Sequence, residues 1–161
     1  MARSENEILV TPSILDRLID LDPSRSQDGP KSRATSVREL KASVRRDIEW
    51  LLNTRCYAEA EDDALEETRK SVAFYGLPDF TGMSAKNNSE QKKLSKELET
   101  ALKNFEPRFL DLKIKLEPVN NVDRQLKFKI EAKLDIEPAP EPIAFDTVLQ
   151  IGSGEFAIIE R

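Results

Sequence analysis

Hydrophobic residues recur along this chain in two periods, and the change from one to the other falls at a single place. Up to Phe105 the apolar positions follow helical spacing. Ile14, Leu15, Leu18 and Ile19 form a short set, Val37, Leu40, Val44, Ile48, Leu51 and Leu52 a long one, and Leu94, Leu98, Ala101, Leu102 and Phe105 a third. Beyond that point the spacing is alternate. Leu110, Leu112, Ile114 and Leu116 are followed by Leu126, Phe128, Ile130, Ala132, Leu134 and Ile136. Phe145, Thr147, Leu149 and Ile151, then Phe156 and Ile158, complete the alternation, which is that of half-buried strands. The expected fold is α+β, with N-terminal helices packed on a small, mainly antiparallel C-terminal β-sheet.

Punctuation residues set the expected boundaries. Thr11-Pro12 reads as a cap and first helical position, and Leu21-Asp22-Pro23 as the close of that helix. Residues 24–33 lack apolar period and read as a connector. Ser36-Val37-Arg38-Glu39 has the form of a capping box that starts the longest helix. Ser71 to Tyr75 reads as a last helical turn, with Gly76 as a left-handed cap and Pro78 as a stop. Asn88, with Gln91 behind it, caps the next helix, and Pro107 ends it. Pro118 to Asp123 links the first two strands. Pro138-Ala139-Pro140-Glu141-Pro142 reads as a stiff spacer outside the ladder, and Gly152-Ser153-Gly154 joins the last two strands. Residues 1–34 thus form a short helix with a connector, and residues 35–161 one domain.

The stretch Asn104-Phe105-Glu106-Pro107-Arg108-Phe109 is where the two periods meet. If 106–116 is regular β, the even positions share a face, and Glu106 and Arg108 begin an otherwise apolar stripe. A buried, unpaired charge is expensive, so the two either bond within the chain or await a partner molecule. By pattern alone an internal salt bridge that fixes the corner is the more usual arrangement. The terminal strand likewise either completes its own sheet or offers an edge to another chain.

Composition narrows the chemistry. The chain has no histidine and one cysteine, Cys56, which removes imidazole-based catalysis, internal disulfides and a nitrogen-sulfur zinc set. None of the five glycines opens a phosphate-binding loop. No metal or other cofactor is expected. The acidic run from Glu59 to Glu67 lacks the spacing of a calcium loop. A net charge of −5 disfavours a general nucleic-acid binder, so Arg38, Lys41, Arg45, Arg46 and Glu49 read as a solvated helix face. Apolar runs are too short to span a bilayer, and the leader from Met1 to Glu7 lacks the apolar core of a secretory signal, which points to the cytoplasm.

Several separated blocks resemble the TssE family, baseplate subunits of bacterial type VI secretion related to a wedge protein of contractile phage baseplates. They are Thr11 to Leu18, Ser43 to Arg55, Ser71-Val72 with Tyr75 to Asp79, and Glu106-Pro107-Arg108. The resemblance implies a structural subunit without catalysis, at the baseplate on the inner-membrane complex. It would dock on the wedge proteins TssF and TssG near TssK and help start the sheath of TssB and TssC. It further implies that Glu106, Pro107 and Arg108 contact the helical core bundle of the wedge. By similarity to the strand-exchange part of sheath subunits, it places Phe145, Thr147, Leu149, Phe156 and Ile158 at the first sheath ring. The alternative from another class is a lysozyme-like peptidoglycan glycosidase, a label attached to the family. It requires two carboxylates, and spacing singles out only Glu106.

Overall fold

The computed structural model describes residues 10–20, 23–24, 32–57, 66–84, 87–117 and 125–160. The connector, most of the acidic run and the link between the first two strands lie outside them. Helices α1 (Ile14–Leu18), α2 (Arg33–Asn53), α3 (Glu66–Arg69) and α4 (Asn88–Phe105) precede strands β1 (Phe109–Leu116), β2 (Gln125–Leu134), β3 (Glu141–Gln150) and β4 (Glu155–Glu160). The strands form one antiparallel sheet in the order β1-β2-β3-β4. The α+β arrangement read from the change of period is therefore the one found.

The core lies between the helix pair and one sheet face. From α2 come Leu40, Val44, Ile48, Leu51 and Leu52, and from α4 Leu94, Leu98, Ala101 and Leu102. They meet Leu126, Phe128, Ile130, Ala132 and Leu134 of β2 and the inward residues of β3 and β4. Each fully buried leucine or phenylalanine contributes about 1.5–3 kcal/mol relative to exposure, so these stripes dominate the stability. On the opposite face the charges pair as alternation allows: Lys115 and Lys129 each reach Glu131 at 2.8 Å, and Lys133 reaches Asp111 at 2.7 Å.

Several boundaries differ from the sequence reading. Ser13, not Thr11, caps α1, with its hydroxyl accepting from the Asp16 amide. Ser32 caps α2 one turn before the expected capping box. Ser36 is inside the helix and buried, and its hydroxyl donates to the Ser32 carbonyl at 3.2 Å. The α4 cap is Asn87, one residue before Asn88. Both shifts arise because a polar side chain further upstream, by one turn in α2 and one residue in α4, already satisfies a first-turn amide. Residues Val72–Phe74 form a 3-10 turn, and Tyr75 is extended, so Gly76 does not cap a helix. Glycine is required there for close approach: φ is +112°, and a Cβ would stand 2.4 Å from the Thr54 carbonyl oxygen. That carbonyl accepts from Leu77, whose own carbonyl accepts from Cys56.

Two differences concern the sheet. Regular alternation from Glu106 fails because a bulge separates Leu110 from Lys113, with Asp111 at φ 53°. One extra residue reverses the phase, so Phe109 joins the core and Leu110 faces outward, while Leu112, Ile114 and Leu116 keep the inward face. Nor does the proline stretch stay outside the ladder. Pro142 stands in β3 opposite Lys133. This is tolerated because β4 reaches only as far as Phe145, which leaves Pro142 on a strand paired on one side among the described residues.

Candidate functional site

The corner between α4 and β1 is built by its sequence. Pro107 cannot extend the helix, and Glu106 leaves the helical region with φ −122° and ψ 77° while its amide still bonds the Leu102 carbonyl. Phe109 N–H then closes the turn on the Glu106 carbonyl at 3.2 Å, and Asp135 N–H fastens the Arg108 carbonyl at 2.9 Å. The turn is held at both ends by backbone bonds, which fixes the three side chains between them.

Glu106 points inward and is 4% exposed. Its two oxygens accept from Nε and Nη2 of Arg108, each at 2.5 Å, in a planar two-bond pair. Arg108 Nη2 also donates to Asp47 on α2 at 2.8 Å. Asp47 continues the chain of charges, because its other oxygen takes both Nε and Nη2 of Arg46. Arg46 Nη1 donates to Asp16 on α1 at 2.6 Å, and Ser43 and Ser13 donate to the second Asp16 oxygen. The sequence Asp16, Arg46, Asp47, Arg108, Glu106 is thus one alternating ion network that joins α1, α2 and the corner.

The electrostatics follow from that geometry. Arg108 is held further above its ordinary value first by the Glu106 hydrogen bonds, against the effect of burial. Burial pushes the Asp16 carboxyl up, but the hydrogen bonds from Arg46, Ser13 and Ser43 outweigh it and bring the group to about 2. Burial raises the Tyr75 phenol, and the nearby negative charges of Asp47 and Glu106 raise it further. Among the described residues no cluster of acids and cysteine could hold a metal ion.

Asp47, Glu106 and Arg108 of the network line a concavity of about 360 Å³, with Ser13, Ile48, Leu51, Tyr75, Phe105 and Pro107 supplying its other surfaces. Tyr75 and Phe105 meet edge to face at 5.3 Å between ring centres. Beside it stands α1, oriented against expectation for an amphipathic helix. Its polar residues Ser13 and Asp16 turn to α2, and no residue of α1 is buried. Ile14 and Leu18 are each 77% exposed, and Leu15 and Ile19 are nearly half exposed. Trp50, also half exposed, carries the Arg46 guanidinium 5.0 Å above its ring.

Of the residues singled out from sequence, Glu106, Pro107 and Arg108 come together here in distinct positions. Glu106 is the buried group that orients Arg108, Pro107 is exposed, and Arg108 remains 27% exposed. Among the described residues, Arg108 Nη1 has no bonding partner, so its donors remain for solvent or a docked protein. Phe145, Thr147, Leu149, Phe156 and Ile158 are elsewhere, all buried under the helix layer. From Phe145 to Gln150, β3 is paired on both sides, so of these five residues only Phe156 and Ile158 lie on an edge strand among the described residues. Asp16, Arg46 and Asp47 were not singled out. Arg46 in particular is not part of a freely solvated face; the Ser13-x-x-Asp16 spacing carried a local cap signal, but the link to Arg46 spans 30 positions and has none.

The family model described as baseplate wedge protein gp25 matches residues 38–139, a span that includes α2 from Arg38 onward, α4 and the whole corner. No curated protein matches the chain.

Proposed function

The chain belongs to the gp25 family of baseplate wedge proteins and has a structural role in the baseplate of a contractile injection machine, and from that premise we propose that it is the TssE subunit of a type VI secretion baseplate. In this reading it acts without catalysis, docks on TssF and TssG near TssK, and helps begin the sheath of TssB and TssC from the cytoplasmic side of the inner-membrane complex. No described helix is long and apolar enough to cross a membrane, which is compatible with that place.

The observation that carries the docking reading is the exposed apolar face of α1 set beside a rigid concavity with Arg108 on its wall. Monomeric proteins seldom leave large aliphatic side chains of one helix uncovered together, and a fixed guanidinium gives such a patch a directional anchor. Glu106 contributes by holding that guanidinium. The same pairing disfavours the glycosidase reading, because both Glu106 oxygens are already engaged and the side chain is buried away from any sugar.

Co-expression with TssF and TssG followed by size-exclusion chromatography tests the proposal. Arg108→Lys keeps a charge beside Glu106 but loses the planar fork, so the variant should fold and lose at least about tenfold in wedge affinity, or about 1.4 kcal/mol. Unchanged co-elution would refute docking at the corner. Hydrolysis of peptidoglycan by the wild-type protein that disappears in Glu106→Gln would instead establish the enzyme reading.

A further inference from the structure

Along α4 the positions 91, 95, 98, 102 and 105 fall on one helical stripe, and the stripe changes character halfway. Leu98, Leu102 and Phe105 pack on the core in the second half. In the first half the stripe holds Gln91 and Ser95, and the Ser95 hydroxyl turns back to donate to the Gln91 carbonyl at 3.0 Å. β1 makes no matching change. Ile114 and Leu116 remain aliphatic on the inward face and are only half-buried. A groove of about 390 Å³ is left between the first half of α4 and β1, with the two aliphatic residues as its floor.

Lys92 and Lys96 stand on the helical wall of that groove, and both are exposed. Among the described residues neither makes an ion pair, although the same helix carries acids. Glu99 is taken by Lys103 at 2.5 Å, and Glu90 accepts from the Ser84 amide and the Asn87 side chain. The chain as a whole has a net charge of −5, so two uncompensated cations above an apolar floor are a local reversal of sign. Their spacing adds a constraint. Lys92 and Lys96 are one turn apart, about 6 Å along the helix, and Ile114 and Leu116 are about 6.7 Å apart along the strand. An extended chain repeats each of its faces at nearly that interval, about 6.7 Å.

We propose that this groove binds a short extended segment of a partner protein in which acidic and aliphatic residues alternate, with its carboxylates on Lys92 and Lys96 and its aliphatic side chains on Ile114 and Leu116. Recognition is by side chains: the lysines select charge and fix the register, and burial of the aliphatic residues supplies affinity. A nucleic acid would engage the lysines but leave the apolar floor unused. The groove shares no residue with the concavity at the corner, so the inference does not depend on the baseplate reading.

The test titrates the full chain with a blocked, fluorescein-labelled hexapeptide of alternating glutamate and leucine and reads anisotropy, with amide shifts of the isotope-labelled protein recorded alongside. The peptide should bind, and the shifts should cluster at residues 91–96 and 114–116. Lys92→Glu combined with Lys96→Glu should raise Kd at least about tenfold. Lys93→Glu reverses an exposed charge outside the groove and should raise it far less. Serine in place of the peptide leucines should weaken binding as much as the double reversal does. If the doubly reversed protein does not fold, Lys92→Gln with Lys96→Gln is read instead and should show a smaller loss of the same kind. Absence of binding, or shifts centred elsewhere on the molecule, overturns the proposal. Equal binding of the serine peptide or of a short single-stranded oligonucleotide overturns it too, because the lysines would then be attracting any polyanion.

Discussion

Helix α4 turns Leu94, Leu98, Ala101 and Leu102 into the core, whereas α1, with an equally apolar repeat, turns Ser13 and Asp16 onto α2 and leaves its aliphatic residues exposed. The two helices are held by different forces. Hydrophobic burial of several side chains fastens α4, while α1 is tied by one carboxylate that receives Arg46, Ser43 and Ser13. Helical periodicity therefore reports that one face is apolar, and only the partners reveal what that face is for. In α4 it stabilises the monomer; in α1 it is presented outward.

The largest expected effect lies on the α4 side. Leu98 has no exposed surface, so Leu98→Ala removes its transfer free energy and leaves a cavity among Leu94, Leu102 and the sheet. A loss of about 2–5 kcal/mol in unfolding free energy is expected from denaturant titration. A loss below about 0.5 kcal/mol would mean that α4 is not the clamp the burial describes.

A smaller effect should come from the tie that holds α1. The folded Asp16 carboxyl sits at about 2 against an ordinary 3.8. Its folded value is depressed, so the associated stability is present above roughly the ordinary value and is lost as pH falls from there towards 2. A partly exposed pair of this kind contributes about 1 kcal/mol. Trp50 is the single tryptophan and has Arg46 over its ring, so its fluorescence should change as Arg46 loses Asp16 in that window. Asp16→Asn should abolish this step. A step that persists unchanged in Asp16→Asn would assign it to another carboxylate of the network.

Much of this architecture was legible in the chain, for reasons that also mark where legibility stopped. The stripes of α2 and α4 and the alternation of β2 and β3 are local periodicities imposed by a core, and they were read correctly from spacing. The corner at Pro107 was readable because proline stops a helix regardless of tertiary context. The bulge at Asp111 was not, since no glycine or proline marks it and only pairing with β2 reveals the extra residue. Pro142 misled because the rule that excludes it applies to strands paired on both sides, a property of topology. The five-residue ion network was invisible for a similar reason. Asp47 and Arg108 are separated by 61 positions, and no local pattern joins them.

The smallest effect on stability should accompany a large effect on assembly, and that contrast separates the two helices most sharply. Ile14→Ser with Leu18→Ser alters two side chains that the monomer leaves 77% exposed, so the unfolding free energy should change by less than about 0.5 kcal/mol. Burying both against a wedge partner would instead be worth about 1.5–3 kcal/mol for each side chain, before ordering losses. The double variant should therefore retain the wild-type melting transition and weaken co-elution with TssF and TssG by at least about tenfold. A fall in melting temperature comparable to that of Leu98→Ala would show that α1 is part of the core in solution, and the distinction between a helix that holds the fold and a helix that presents a surface would fail.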